Sequence, residues 1–178
     1  MELNREAIER NGASDGSGPS SDGFAEAYWV AWLDLTDGAL ARRDPSGAAA
    51  VLDRISAIDT WDGTMAWHQR HRLGLLRARV ARGGGDDALA VRLAGEVVDD
   101  AAGRGSVRYA ALGRVQVALA GGDGDLDRIA ESVVELRRCA ALELPGLLDE
   151  LGGRFDVDEW RREAEERTGG LSNALRRS

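Results

Sequence analysis

Two histidines and a run of arginines crowd one stretch of the chain, Trp67 to Arg82. It holds His68, Arg70, His71, Arg72, Arg77, Arg79 and Arg82. At 100° per residue, Met65, Leu73, Leu76 and Val80 form one apolar stripe of a helix, and His68, Arg72, Leu75, Arg79 and Arg82 form a second. Guanidinium forks match carboxylates in shape and charge. The second stripe is therefore a candidate binding face. The competing reading is a solvated face whose arginines pair with Asp86, Asp87 and Asp99 nearby. His68 and His71 stand three apart and would bind a metal only with a third ligand. No Cys or Glu lies on that turn, so the expectation is two solvent-facing histidines and no metal.

Other residues with chemical potential read as structural. Asp123, Asp125 and Asp127 alternate as in a calcium loop, but Arg128 stands where the loop glycine belongs. They are expected to cap a helix N-terminus and favour its dipole. Gly83-Gly84-Gly85 follows a helix and lacks the Lys-Ser/Thr end of a phosphate loop; it reads as a turn. Cys139 has no histidine close in sequence and is expected as a small buried hydrophobe within a helix. Five of the nine aromatic residues are Trp. Trp32 is expected in the core. Trp29 is a candidate partner or dimer contact, because Trp is enriched where binding energy concentrates.

Composition narrows the classes. The chain has 178 residues, enough for one domain or one array of small repeats. Its net charge is -8, the wrong sign for a protein that neutralises phosphates, so nucleic acid is not expected as the main partner. All 23 basic residues are Arg, which removes lysine chemistry such as Schiff bases. With Ala, Gly and Asp so frequent, the coding looks like that of a GC-rich bacterial gene. A single Cys excludes an intramolecular disulfide framework. No apolar run approaches the ~18 residues of a membrane span, and Met1 to Arg10 is too charged for a secretory leader. A cytoplasmic protein with no membrane association is expected.

The elements that must position these residues are helices. Residues 1–10 read as a short helix or tail, and 11–23 as a flexible polar linker. Helical spacing then runs through Phe24–Ala41, Ala48–Ile58 and Thr64–Arg82, from Asp86 to about Ala102, through Val107–Ala120, and from Leu126 to Leu142. Asp44-Pro45 breaks the first from the second. Gly85 suits a left-handed helix end, and Asp86 and Ser106 suit N-caps. A short helix is expected after Pro145, and a last one from about Val157 to Arg167. No segment alternates with period two. The fold is therefore all-α, with helices paired into antiparallel hairpins by short loops.

The hairpins repeat. Leu75 to Ala81 aligns with Leu112 to Ala118 at a spacing of 37 residues, and Leu93 and Val97 align with Ile129 and Val133 at 36. Leu112-Gly113 preceded by Tyr109, the earlier Leu73-Gly74, and the turns Gly85-Asp86 and Gly122-Asp123 resemble the tetratricopeptide (TPR) repeat. The texture of Trp67 to Leu119 and of Trp160 to Leu175 is also similar to the C-terminal repeat regions of large bacterial signal-transduction ATPases. The resemblance implies three stacked TPR-like hairpins over 24–142, a short α-solenoid, with capping helices and a tail over 143–178. It also implies a concave groove lined by the first helix of each hairpin, which makes the stripe of His68, Arg72, Leu75, Arg79 and Arg82 a candidate seat for an acidic or carboxylate-ending peptide.

The expected function is a non-catalytic scaffold that binds a protein or an acidic peptide and needs no cofactor. A homodimer is a further possibility. The alternatives are a docking or regulatory subunit of an ATPase or transcription regulator, and a small helical enzyme using His68 and His71.

Overall fold

In the computed structural model the described residues are 25–56, 66–121, 126–139, 141 and 143–162, with backbone alone at 25–28 and 66. The expected N-terminal helix and linker, Ile58, Trp61, Met65, Asp123 and Asp125 lie outside them, as do residues 163–178. Among the described residues every regular element is helical. The helices are α1 (Ala25–Ala41), α2 (Pro45–Ser56), α3 (Ala66–Gly83), α4 (Asp87–Gly103), α5 (Val107–Leu119), α6 (Leu126–Arg138) and α7 (Leu144–Gly152). A helical turn follows at 158–162. None is long and apolar enough to cross a membrane.

Three of the connections use one device. Each helix ends on a left-handed residue: Arg43 (φ 58°), Gly85 (φ 83°) and Gly105 (φ 70°). The next residue donates its N–H back to the helix: Asp44 to Ala39 O at 3.0 Å, Asp86 to Ala81 O at 2.9 Å, and Ser106 to Ala101 O at 2.8 Å. That bond satisfies an end carbonyl in the Schellman manner. Asp44 and Asp86 then act a second time. Asp44 Oδ1 accepts from Gly47 N at 2.8 Å, and Asp86 Oδ1 accepts from Leu89 N at 3.0 Å. Each is the N-cap of the following helix. One aspartate closes a helix and opens the next, so the chain reverses within two residues. Ser106 holds the same position but makes no side-chain cap bond, which corrects the expectation for it.

The chain divides into two compact units, Met1–Ala90 and Val91–Ser178. In the first, α1, α2 and α3 pack mutually. Their core is Trp29, Trp32, Leu33, Leu52, Ile55, Leu73 and Leu76. A Cβ added at Gly83, at the end of α3, would stand 3.0 Å from Pro45 Cβ at the start of α2. Hence α2 and α3 are antiparallel.

The second unit repeats this plan. α5, α6 and α7 again pack mutually, around Leu112, Val115, Leu119, Ile129, Val133, Leu136, Leu147 and Leu151. Arg108 near the start of α5 holds both oxygens of Glu143, just before α7, at 2.8 and 3.0 Å. Arg154, just after α7, donates to Ala118 O near the end of α5 at 3.1 Å. Starts meet starts and ends meet ends, so α7 runs parallel to α5. In each unit, then, a helical hairpin is followed by a third helix parallel to the first.

α6 stops four residues short of the expected Leu142. Ala141 N bonds Leu136 O at 3.0 Å and closes the helix. Cys139 therefore sits in the turn after α6, exposed, and not as a buried hydrophobe. The inward stripe Ile129–Val133–Leu136 ends before it can include Cys139.

Gly113 on α5 marks a close helix approach within the second unit. A Cβ there would lie 2.6 Å from Val98 Cγ2 and 3.1 Å from Ala94 O, both on α4. Gly95 on α4 faces open space. Gly113→Ala should cost about 1–3 kcal/mol by overpacking, while Gly95→Ala should stabilise by about 0.5–1 kcal/mol through helix propensity. Urea unfolding of both variants checks the pair; equal and opposite-to-predicted signs would contradict the packing.

Candidate functional site

α3 carries three stripes. Leu73 and Leu76 are buried in the core with α1 and α2, and Gln69, one turn before Leu73, is also buried. His71, Leu75 and Ala78 are buried on another side, at 2%, 8% and 1% exposure. Between these stripes His68, Arg72 and Arg79 form a half-buried strip. The expected second stripe is thereby split. Leu75 leaves it for the interior, and His68, Arg72 and Arg79 stay together. Arg82, one turn on, is half-buried. Trp29 is 3% exposed in the core of the first unit, so it offers no surface for a partner.

The strip meets two carboxylates of α1. Arg72 Nη2 donates to Asp34 Oδ1 at 2.5 Å and to Asp37 Oδ2 at 2.9 Å. Arg79 Nη1 donates to Asp37 Oδ1 at 2.5 Å. Arg72 and Arg79 are seven residues apart, about 10 Å along a helix, yet they converge on the two oxygens of one carboxylate. The earlier acid meets the earlier arginine, so α1 and α3 are parallel. The partners of these arginines are thus Asp34 and Asp37. Asp86, Asp87 and Asp99, expected from closeness in sequence, do not fill that role. Asp86 is a helix cap instead.

Burial works against the charge of Arg72, but hydrogen bonds from it to Asp34 and Asp37, with their attraction, outweigh burial and hold its pKa above the usual guanidinium value. A raised pKa means the stabilisation is complete below the unfolded-state value and fades only as pH rises through the raised one. Arg72 is cationic at every ordinary pH. All four side chains retain contact with water, 25% and 28% for Arg72 and Arg79 and 41% and 38% for Asp34 and Asp37. The network is reachable from solvent.

The histidines separate. His71 is buried and stacks edge-on against Trp67, with ring centroids 5.6 Å apart. This corrects the expectation that both face solvent: His71 belongs to the Leu75–Ala78 stripe and His68 to the charged strip. Trp67 also meets His68 edge-on at 5.6 Å. Among the described residues no group of three His, Cys, Asp or Glu could hold a metal ion. In the second unit an open cavity of about 420 Å³ is lined by Leu148, Asp149, Phe155, Asp156, Asp158 and Arg161. There Arg161 pairs with Asp149 at 3.1 Å and Asp158 at 3.4 Å.

Sequence reasoning passed over Asp34 and Asp37, although they carry a local signal. They stand three apart on a helix otherwise rich in Trp, Leu and Ala, one turn of acid on one face. Their partners, 35 to 42 residues away, were not legible from local spacing. Comparison with protein families, with curated proteins and with solved structures gives no match.

Asp37 bridges two arginines, so Asp37→Asn should lower stability by about 1 kcal/mol at low salt, and by clearly less in about 1 M salt, where screening is nearly complete. The exposed pair Arg92–Glu96 should give less than about 0.5 kcal/mol in the same urea titrations. Equal losses at both salts would argue that packing, not charge, carries the effect.

Proposed function

We propose that the chain is a non-catalytic helical scaffold that binds a protein or peptide along the face of its first unit where α1 and α3 lie side by side. The observation that carries this reading is the repeated plan of both units, a hairpin followed by a third helix parallel to the first. It is the plan a TPR-like array requires, because one hairpin cannot bury both of its faces alone. α3 adds support. Its two buried stripes, with a charged strip between them, suit an interior helix of such an array. The strip of His68, Arg72 and Arg79 lies on the side where α1 runs alongside α3, and it is half-exposed.

A docking subunit of an ATPase or transcription regulator is the same scaffold with a named partner. The enzyme reading has less support: His71 is packed against Trp67 and away from solvent, so it cannot serve His68 as a partner in open chemistry.

Affinity capture from native lysate of the source cells, read by mass spectrometry, tests the scaffold. Wild type is compared with Arg72→Gln/Arg79→Gln. Glutamine avoids setting new carboxylates against Asp34 and Asp37, and the melting curve shows whether the variant is folded. A protein retained by wild type and lost by the folded variant is the expected result. A partner retained equally by both would move the site off this strip. No partner under any condition would contradict the scaffold.

A further inference from the structure

The two arginines of the strip are not equivalent, and the difference points to which of them receives a partner. A guanidinium binds a carboxylate best through two parallel N–H groups, along the Nε–Nη2 edge or the Nη1–Nη2 edge. Arg72 uses Nη2 for both Asp34 and Asp37. Nη2 belongs to both edges, so neither fork of Arg72 is intact. Arg79 uses only Nη1, on Asp37. Among the described contacts its Nε and Nη2 donate to no protein group, and its side chain keeps 28% of its exposure. One complete fork therefore remains, on an arginine whose position is set by Asp37.

We propose that the Nε–Nη2 edge of Arg79 receives a side-chain or terminal carboxylate of an acidic peptide, with Asp37 as the positioning residue. This rests on the scaffold reading above and names the partner's chemistry at that site. Anchoring one terminal nitrogen holds the planar head, so less rotamer freedom is lost when the second carboxylate arrives. Partial burial also lowers the local dielectric and strengthens the new pair. The chain's net charge of -8 disfavours long polyanions. A single carboxylate held by a local fork meets less of that repulsion than a nucleic-acid backbone does.

The test uses the full chain and a short labelled peptide bearing two glutamates among neutral residues, followed by fluorescence anisotropy near physiological salt. The control peptide carries glutamine at both positions. The glutamate peptide should bind at least about tenfold more tightly than its glutamine copy. Arg79→Lys keeps the charge and can still pair with Asp37 but has no fork, so it should lose about tenfold in affinity. Arg92→Lys, an exposed exchange on α4, should leave binding unchanged. Melting curves establish that both variants fold. Equal binding by wild type and Arg79→Lys would overturn the proposal, as would no discrimination between the two peptides or no binding of either. If those results came together with a lysate partner insensitive to the strip, the scaffold would stand and only the Arg79 fork would fall.

Discussion

One carboxylate, that of Asp37, fixes the seam between the first and third helices. The geometry leaves little choice. α1 and α3 are separated in sequence by α2, so only tertiary contacts can set their relative direction. The apolar core of Trp29, Trp32, Leu33, Leu73 and Leu76 brings the helices together but is weakly directional, because burial scales with area and not with register. Charge-assisted hydrogen bonds are directional. Arg72 and Arg79 reach Asp37 from two turns of one helix, which aligns α3 with α1 along its length. The second unit solves the same problem with other residues: Arg108 on Glu143 at one end and Arg154 on Ala118 O at the other.

The turns make this arrangement possible. A helix that ends on a left-handed residue and hands its next residue over as the cap of the following helix reverses direction in minimal length. Asp44 and Asp86 each do both. A short turn makes α1 and α2 an antiparallel hairpin, and tertiary contacts then set α3 parallel to α1. The left-handed residue is Gly85 in one turn and Arg43 in another, where a side chain accepts a conformation that glycine adopts without steric cost. The left-handed residue and the N–H bond returned by the next one are the constants of the device, not glycine and not the side-chain cap.

Much of this was legible in the sequence. Helix periodicity, Asp44-Pro45 and Gly85-Asp86 located the helices and their ends to within a few residues, and the all-α class followed. Leu75 shows where a single helical wheel fails. Placed by angle beside the arginines, it sits on a helix with two buried sides, and a one-sided reading assigns its second buried side to solvent. His71 was misread for the same reason. Cys139 was misplaced because nothing local marks α6 as ending at Arg138; the ending comes from the return bond of Ala141. The partners of Arg72 and Arg79 were hidden because ion pairs between helices depend on which helices are neighbours, and charge spacing within one helix carries no record of that.

α1 and α3 lie parallel, joined through Asp37. A double-mutant cycle between Asp37→Ala and Arg79→Ala, read by urea unfolding at low salt, tests it most directly. It isolates the pair from whatever each side chain does alone. The expected coupling is about 0.5–1 kcal/mol and shrinks on adding salt. Strictly additive losses, with no coupling at any salt, would mean that the two side chains do not meet and that the seam is not built as described.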